Sequence, residues 1–78
     1  MVAPAEAQGL IGIAIALTVA GTGLATAWAE KVIGAASVGA IAEKPELFGR
    51  VLPLVVIPET IVIFGLIIAF LMLGQLGT

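Results

Sequence analysis

At 78 residues, 62% of them apolar and only 10% charged, the chain has too small an interior and too few charges for a stable soluble domain, and a bilayer is its natural solvent. It contains no cysteine and no histidine, which excludes disulfides, thiolate metal sites and the commonest metal ligand and general base. A net charge of −2 without a basic cluster argues against nucleic acid as a partner.

The opening Met-Val-Ala-Pro-Ala-Glu lacks the positive start of a signal peptide, so the first apolar stretch is expected to stay in the mature protein. No charge interrupts Gly9 to Ala29, enough helix to cross ~30 Å of hydrocarbon. The helical pattern runs on through Glu30 and Lys31, predicting a first helix over 9–42 that is longer than the membrane is thick. Glu43, Lys44, Glu46 and Arg50, with Pro45 and Gly49, predict a polar loop over 43–50. A second apolar run predicts a helix over 51–76, broken by a single charge, Glu59. The expected fold is all-α, one transmembrane hairpin over 1–78. Lys44 and Arg50 lie in the loop and the tails hold no Lys or Arg, which places the loop in the cytoplasm and both termini outside.

The two spans differ in kind. The first is rich in Gly and Ala, with small residues four apart at Gly12/Ala16/Ala20 and Gly21/Ala25/Ala29. In lipid that spacing lets backbones approach closely. The second is bulky, with Leu54, Ile57, Ile61, Phe64, Ile67 and Phe70 among others. A thin helix beside a thick one makes a wedge. Repeated wedges close a ring with the first helix inside and the second outside, and the same contacts serve equally for a discrete dimer or trimer.

Glu59 falls about 13 Å beyond Arg50 at helical rise, near mid-bilayer. A carboxylate there costs several kcal/mol to keep charged. Such a group is neutral against lipid and ionises beside water or a cation, which is the behaviour of an ion carrier. Pro58 withdraws a backbone donor and frees the carbonyl of Leu54, either shaping an ion pocket or making a tolerated kink. Folding the hairpin about residue 46 sets Glu59 opposite Gly34, one turn from Glu30. Two acids at that range share one proton or enclose one cation; alternatively, Glu30 neutralises a Lys31 from a neighbour. Thr60 adds a hydroxyl beside Glu59. Thr18, Thr22 and Thr26 climb towards Glu30 in steps of four, either lining a polar half-path or back-bonding to carbonyls of their own helix.

The stretches Gly34-Ala35-Ala36-Ser37-Val38-Gly39-Ala40-Ile41-Ala42-Glu43-Lys44-Pro45-Glu46-Leu47-Phe48-Gly49 and Ile57-Pro58-Glu59-Thr60-Ile61-Val62-Ile63-Phe64-Gly65-Leu66 resemble the proteolipid, or c-ring protein, of archaeal-type and vacuolar-type rotary ATPases, called the K subunit in archaea. The resemblance covers the chain from Gly21 onward, in the single-hairpin form. It implies a homo-oligomeric c-ring in a prokaryotic plasma membrane, turning against a stator a-type subunit that offers an arginine. Glu59 matches the family's ion-carrying carboxylate, and Glu43, Lys44, Pro45, Glu46 and Arg50 would meet the central stalk. Sodium-using members usually carry Gln where this chain has Glu30, and often Gln where it has Ile61. Thr60 and a carbonyl near Ile57 remain, so the expected ion set is Glu59, Glu30, Thr60 and Ile57, with protons favoured and sodium the alternative cargo. No nucleotide-binding or nucleophile motif is present, so the chain is expected to need no cofactor and to catalyse nothing alone. The competing class is a small pore-forming or holin-like hairpin; a secondary transporter would need more spans.

Overall fold

A computed structural model describes residues 2–77. Helix α1 spans Ala5–Glu43, a short 3-10 turn covers Pro45–Leu47, and the returning arm consists of α2 (Phe48–Val56) and α3 (Glu59–Leu73). The two arms lie antiparallel in a rod of 57 × 17 × 11 Å, and no strand occurs among the described residues.

Local chemistry explains each boundary. Pro4, extended at φ −55° and ψ 151°, precedes the first turn of α1 and accepts the Ala7 N–H at 2.9 Å. The helix starts at Ala5, before the expected residue 9, because Glu6 and Gln8 are good helix formers that charge-counting treats as tail. It ends because Pro45 bars its predecessor from the helical region. Lys44 is therefore extended, at φ −135° and ψ 89°, while its N–H closes the helix on the Ala40 carbonyl at 2.9 Å. The loop is shorter than 43–50, since Phe48 already begins α2.

The expected second helix is interrupted. Pro58 has no N–H to donate, and its ring crowds the carbonyl one turn earlier. The chain answers with tighter bonds: Thr60 N–H reaches the Ile57 carbonyl at 3.0 Å and Ile61 N–H the Pro58 carbonyl at 3.1 Å. Ile57 and Pro58 keep right-handed dihedrals (φ −55°, ψ −45° and φ −59°, ψ −24°), so the break is a kink within one arm. Residues 45–73 remain long and apolar enough to cross a membrane, as does α1. The arm ends at Leu73 rather than 76, where Gln75 N–H and Leu76 N–H close short turns on Met72 and Leu73. The ends of the hairpin are tied together. Ala3 N–H donates to the Gln75 carbonyl at 2.8 Å, and the Gln8 amide bonds both the Gly77 carbonyl and the Gly77 N–H, at 2.8 and 3.3 Å.

The expected register, Glu59 opposite Gly34, does not hold. Thr26 faces Pro58 and Thr22 faces Gly65. Helix α1 runs to Glu43 and only residues 44–47 separate it from α2, so the chain reverses before residue 46. Extended Lys44 and the 3-10 turn, which rises about 2.0 Å per residue against about 1.5 Å in an α-helix, add a smaller part of the shift.

The arms meet through small groups. A Cβ on Gly65 would overlap the Thr22 side chain, and Gly65 and Ala69, one turn apart, are the buried residues of α3. By contrast a Cβ on Gly12, Gly21, Gly23, Gly34 or Gly39 would meet open space. The glycines of α1 are thus not used inside the hairpin and stay available to neighbouring copies. Ile63, Phe64, Ile67, Phe70 and Leu71 stand exposed on α3, as do Leu10, Leu17, Leu24 and Trp28 on α1. That much exposed apolar surface needs lipid or protein to cover it.

Gly65→Ala is expected to destabilise the hairpin by about 1–3 kcal/mol through overpacking. Gly49→Ala, whose added methyl meets open space in α2, should leave stability unchanged or raise it by up to about 1 kcal/mol. Unfolding of both variants in detergent, followed by circular dichroism, checks the contrast.

Candidate ion site

The kink sets the site. Glu59 is the first residue of α3 and Glu30 lies on the facing side of α1; both are half-buried. Helical side chains lean towards the N-terminus of their own helix. In an antiparallel pair the two acids therefore lean towards each other, and the Glu59 carboxyl lies beside that of Glu30. Oε1 of Glu30 is buried without a hydrogen-bond partner. Two carboxylates so placed repel if both are ionised, and one shared proton turns the repulsion into an O–H···O bond. Glu30 thus lies beside Glu59 as the sequence predicts, although Thr26, not Gly34, sits level with the kink.

The carbonyls at the break are saturated. Ile57 accepts the Thr60 N–H at 3.0 Å and the Thr60 hydroxyl at 2.8 Å. Pro58 accepts the Ile61 N–H and the Thr26 hydroxyl, both at 3.1 Å. Each carbonyl oxygen has two lone pairs, so both are occupied. With the Ile57 and Pro58 carbonyls occupied, the side-chain oxygens left for a cation are the two carboxyls and the Thr60 hydroxyl, which donates to Ile57 but keeps lone pairs of its own. Among the described residues no cluster of three or more acidic, His or Cys side chains forms a metal site.

The threonine stripe divides. Thr18 and Thr22 back-bond to the Ala14 and Thr18 carbonyls at 2.8 and 2.6 Å, the second of the two alternatives read from their spacing. Thr26 follows neither alternative, since its hydroxyl crosses to the other arm. Sequence reasoning misses this role, although a signal exists: Thr26 lies one turn from Glu30 on the face that must meet the proline break. Glu43, Lys44, Pro45 and Glu46 are exposed at the tip of the hairpin, and Arg50 is exposed in the first turn of α2. Lys31 is exposed on α1.

The family model for the C subunit of ATP synthase matches residues 12–72, which takes in both arms, the loop and the acid pair. No curated protein matches the chain.

Because the Thr22 hydroxyl is already held by its own helix, Thr22→Val should leave the rate at which dicyclohexylcarbodiimide modifies Glu59 within about twofold of the parent, no net hydrogen bond being lost. A drop of more than about tenfold would restore the threonine stripe as a proton path.

Proposed function

The chain belongs to the family of ATP synthase C subunits, and from that premise we propose that it is the proteolipid of an archaeal- or vacuolar-type rotary enzyme, carrying protons on Glu59. Membership makes it an ion-translocating component of a membrane rotor ring, itself non-catalytic, and sets aside the free-pore reading. The archaeal or vacuolar type rests on the loop and acid-bearing stretches quoted above. In this reading α1 lines the inside of the ring and the kinked arm the outside, with the open glycines of α1 packing against the next copy.

The observation that carries the proton reading is the state of the kink. Glu59 and Glu30 face one another with an unpartnered buried oxygen between them, while both carbonyls of the broken turn already accept two donors. A proton needs only the two carboxyls. Sodium needs several oxygens and would have to displace donors from Ile57. Glu59 takes up a proton from one half-channel, crosses the lipid neutral, and releases it where an arginine of the stator favours the carboxylate. Each charge that crosses 100 mV releases ~2.3 kcal/mol, so several must be pooled for one ATP, and a ring of identical hairpins pools them. Glu43, Lys44, Pro45, Glu46 and Arg50 form the contact with the central stalk on the cytoplasmic side of a prokaryotic plasma membrane.

Sodium remains the second reading, favoured by the Thr60 hydroxyl beside two carboxyls; its set would be Glu59, Glu30, Thr60 and, after rearrangement, Ile57. Glu59→Gln is expected to abolish ion-driven ATP synthesis, and a variant that keeps turnover removes the carrier role. Labelling of Glu59 by dicyclohexylcarbodiimide should be indifferent to sodium at neutral pH; strong protection by sodium would replace the proton with sodium as cargo.

A further inference from the structure

We propose that Thr26 is a positioning residue for ion exchange, holding the peptide plane that carries Glu59 so that the acid exchanges its ion by side-chain rotation on a fixed backbone. The inference rests on Glu59 being the carrier. The Thr26 hydroxyl donates to the Pro58 carbonyl at 3.1 Å. That carbonyl belongs to the peptide unit joining Pro58 to Glu59, so the bond acts directly on the torsions that aim the Glu59 Cα–Cβ bond.

Three features make the bond more than incidental. Thr26 is only 6% exposed and Pro58 is buried, so no water can substitute for the donor. An unsatisfied carbonyl in hydrocarbon is costly, which makes the loss hard to compensate locally. Next, Thr18 and Thr22 both use their hydroxyls within α1, whereas Thr26 forgoes the same local option for a bond across the hairpin. Finally, Thr22 rests on Gly65 one turn away, and this close approach fixes the distance that the Thr26 bond must span. Thr26 also lies one helical turn from Glu30, so a single face of α1 supplies both the neighbour of the carboxyl and the anchor of its backbone.

The test uses the complete ATP synthase in proteoliposomes. Thr26→Val keeps the shape and removes the donor; Thr26→Ser keeps the donor. The valine variant should lower ATP-driven ion uptake roughly three- to tenfold per assembled complex, the span that one net hydrogen bond supplies, and the serine variant should restore it to within about twofold. In rings labelled with ¹³C-proline and ¹³C-threonine, solid-state NMR should show the Pro58 carbonyl signal displaced by valine and unmoved by serine. Wild-type uptake in the valine variant overturns the positioning role whatever the signal does. Equal loss in both variants reduces Thr26 to packing and overturns it too. Should the valine ring fail to assemble, Thr26→Ala against Thr26→Ser carries the comparison, and the wild-type ring must still show a Thr26–Pro58 ¹³C–¹³C contact, whose absence overturns the bond itself. Retained uptake in Glu59→Gln removes the carrier reading as a whole; a dead Glu59→Gln beside a normal Thr26→Val removes this inference alone.

Discussion

Inside hydrocarbon, a backbone group that loses its partner has no water to turn to. The structure is organised around one place where such a loss is built in, the Ile57–Pro58 break. Proline removes a donor there, and the carbonyls of Ile57 and Pro58 at the break draw donors from three sources: tightened amide bonds within the returning arm, the Thr60 hydroxyl, and a hydroxyl from the opposite arm. The result is a turn displaced from regular helix yet fully hydrogen-bonded at both of its carbonyls. Glu59 follows immediately. The acid therefore stands on the most irregular backbone of the span, at a point tied to its neighbouring helix.

Packing within the hairpin and packing between hairpins use different residues. Inside, the close approach belongs to Gly65 and Ala69 of α3 against Thr22 and its neighbours. Outside, the glycine and alanine rows of α1 remain open and the large side chains of α3 remain uncovered. A monomer of this kind has almost no core of its own, Pro58 and Ala69 being the buried apolar side chains among the described residues. Its stability must come from lipid and from copies of itself, which suits a member of a ring.

Much of this is legible in the sequence, because membrane thickness, charge placement and one intramembrane acid are strong constraints. The two spans, the polar tip and the pairing of Glu30 with Glu59 follow from where charges are absent and where they recur. What escapes is geometry that depends on several weak bonds acting together. The register is set by where α1 ends and how short the turn over 44–47 is, which no hydropathy pattern records. The small pair Gly65 and Ala69 is hidden among bulky neighbours, so the second span reads as uniformly thick. Pro58 announces a kink, but the identity of the donor that ties it to α1 depends on the true register, and spacing alone makes Thr26 one more threonine in a row of three.

The arms also differ mechanically. Helix α1 is unbroken over 39 residues, while the returning arm is jointed at Ile57–Pro58 and again bears a proline at Pro53. At 57 Å the rod exceeds ~30 Å of hydrocarbon, so part of it must stand clear of the apolar layer. A sideways push on the tip is then borne chiefly by α1 as a stiff spar, and the jointed arm leans on that spar where the Thr26 hydroxyl holds the Pro58 carbonyl.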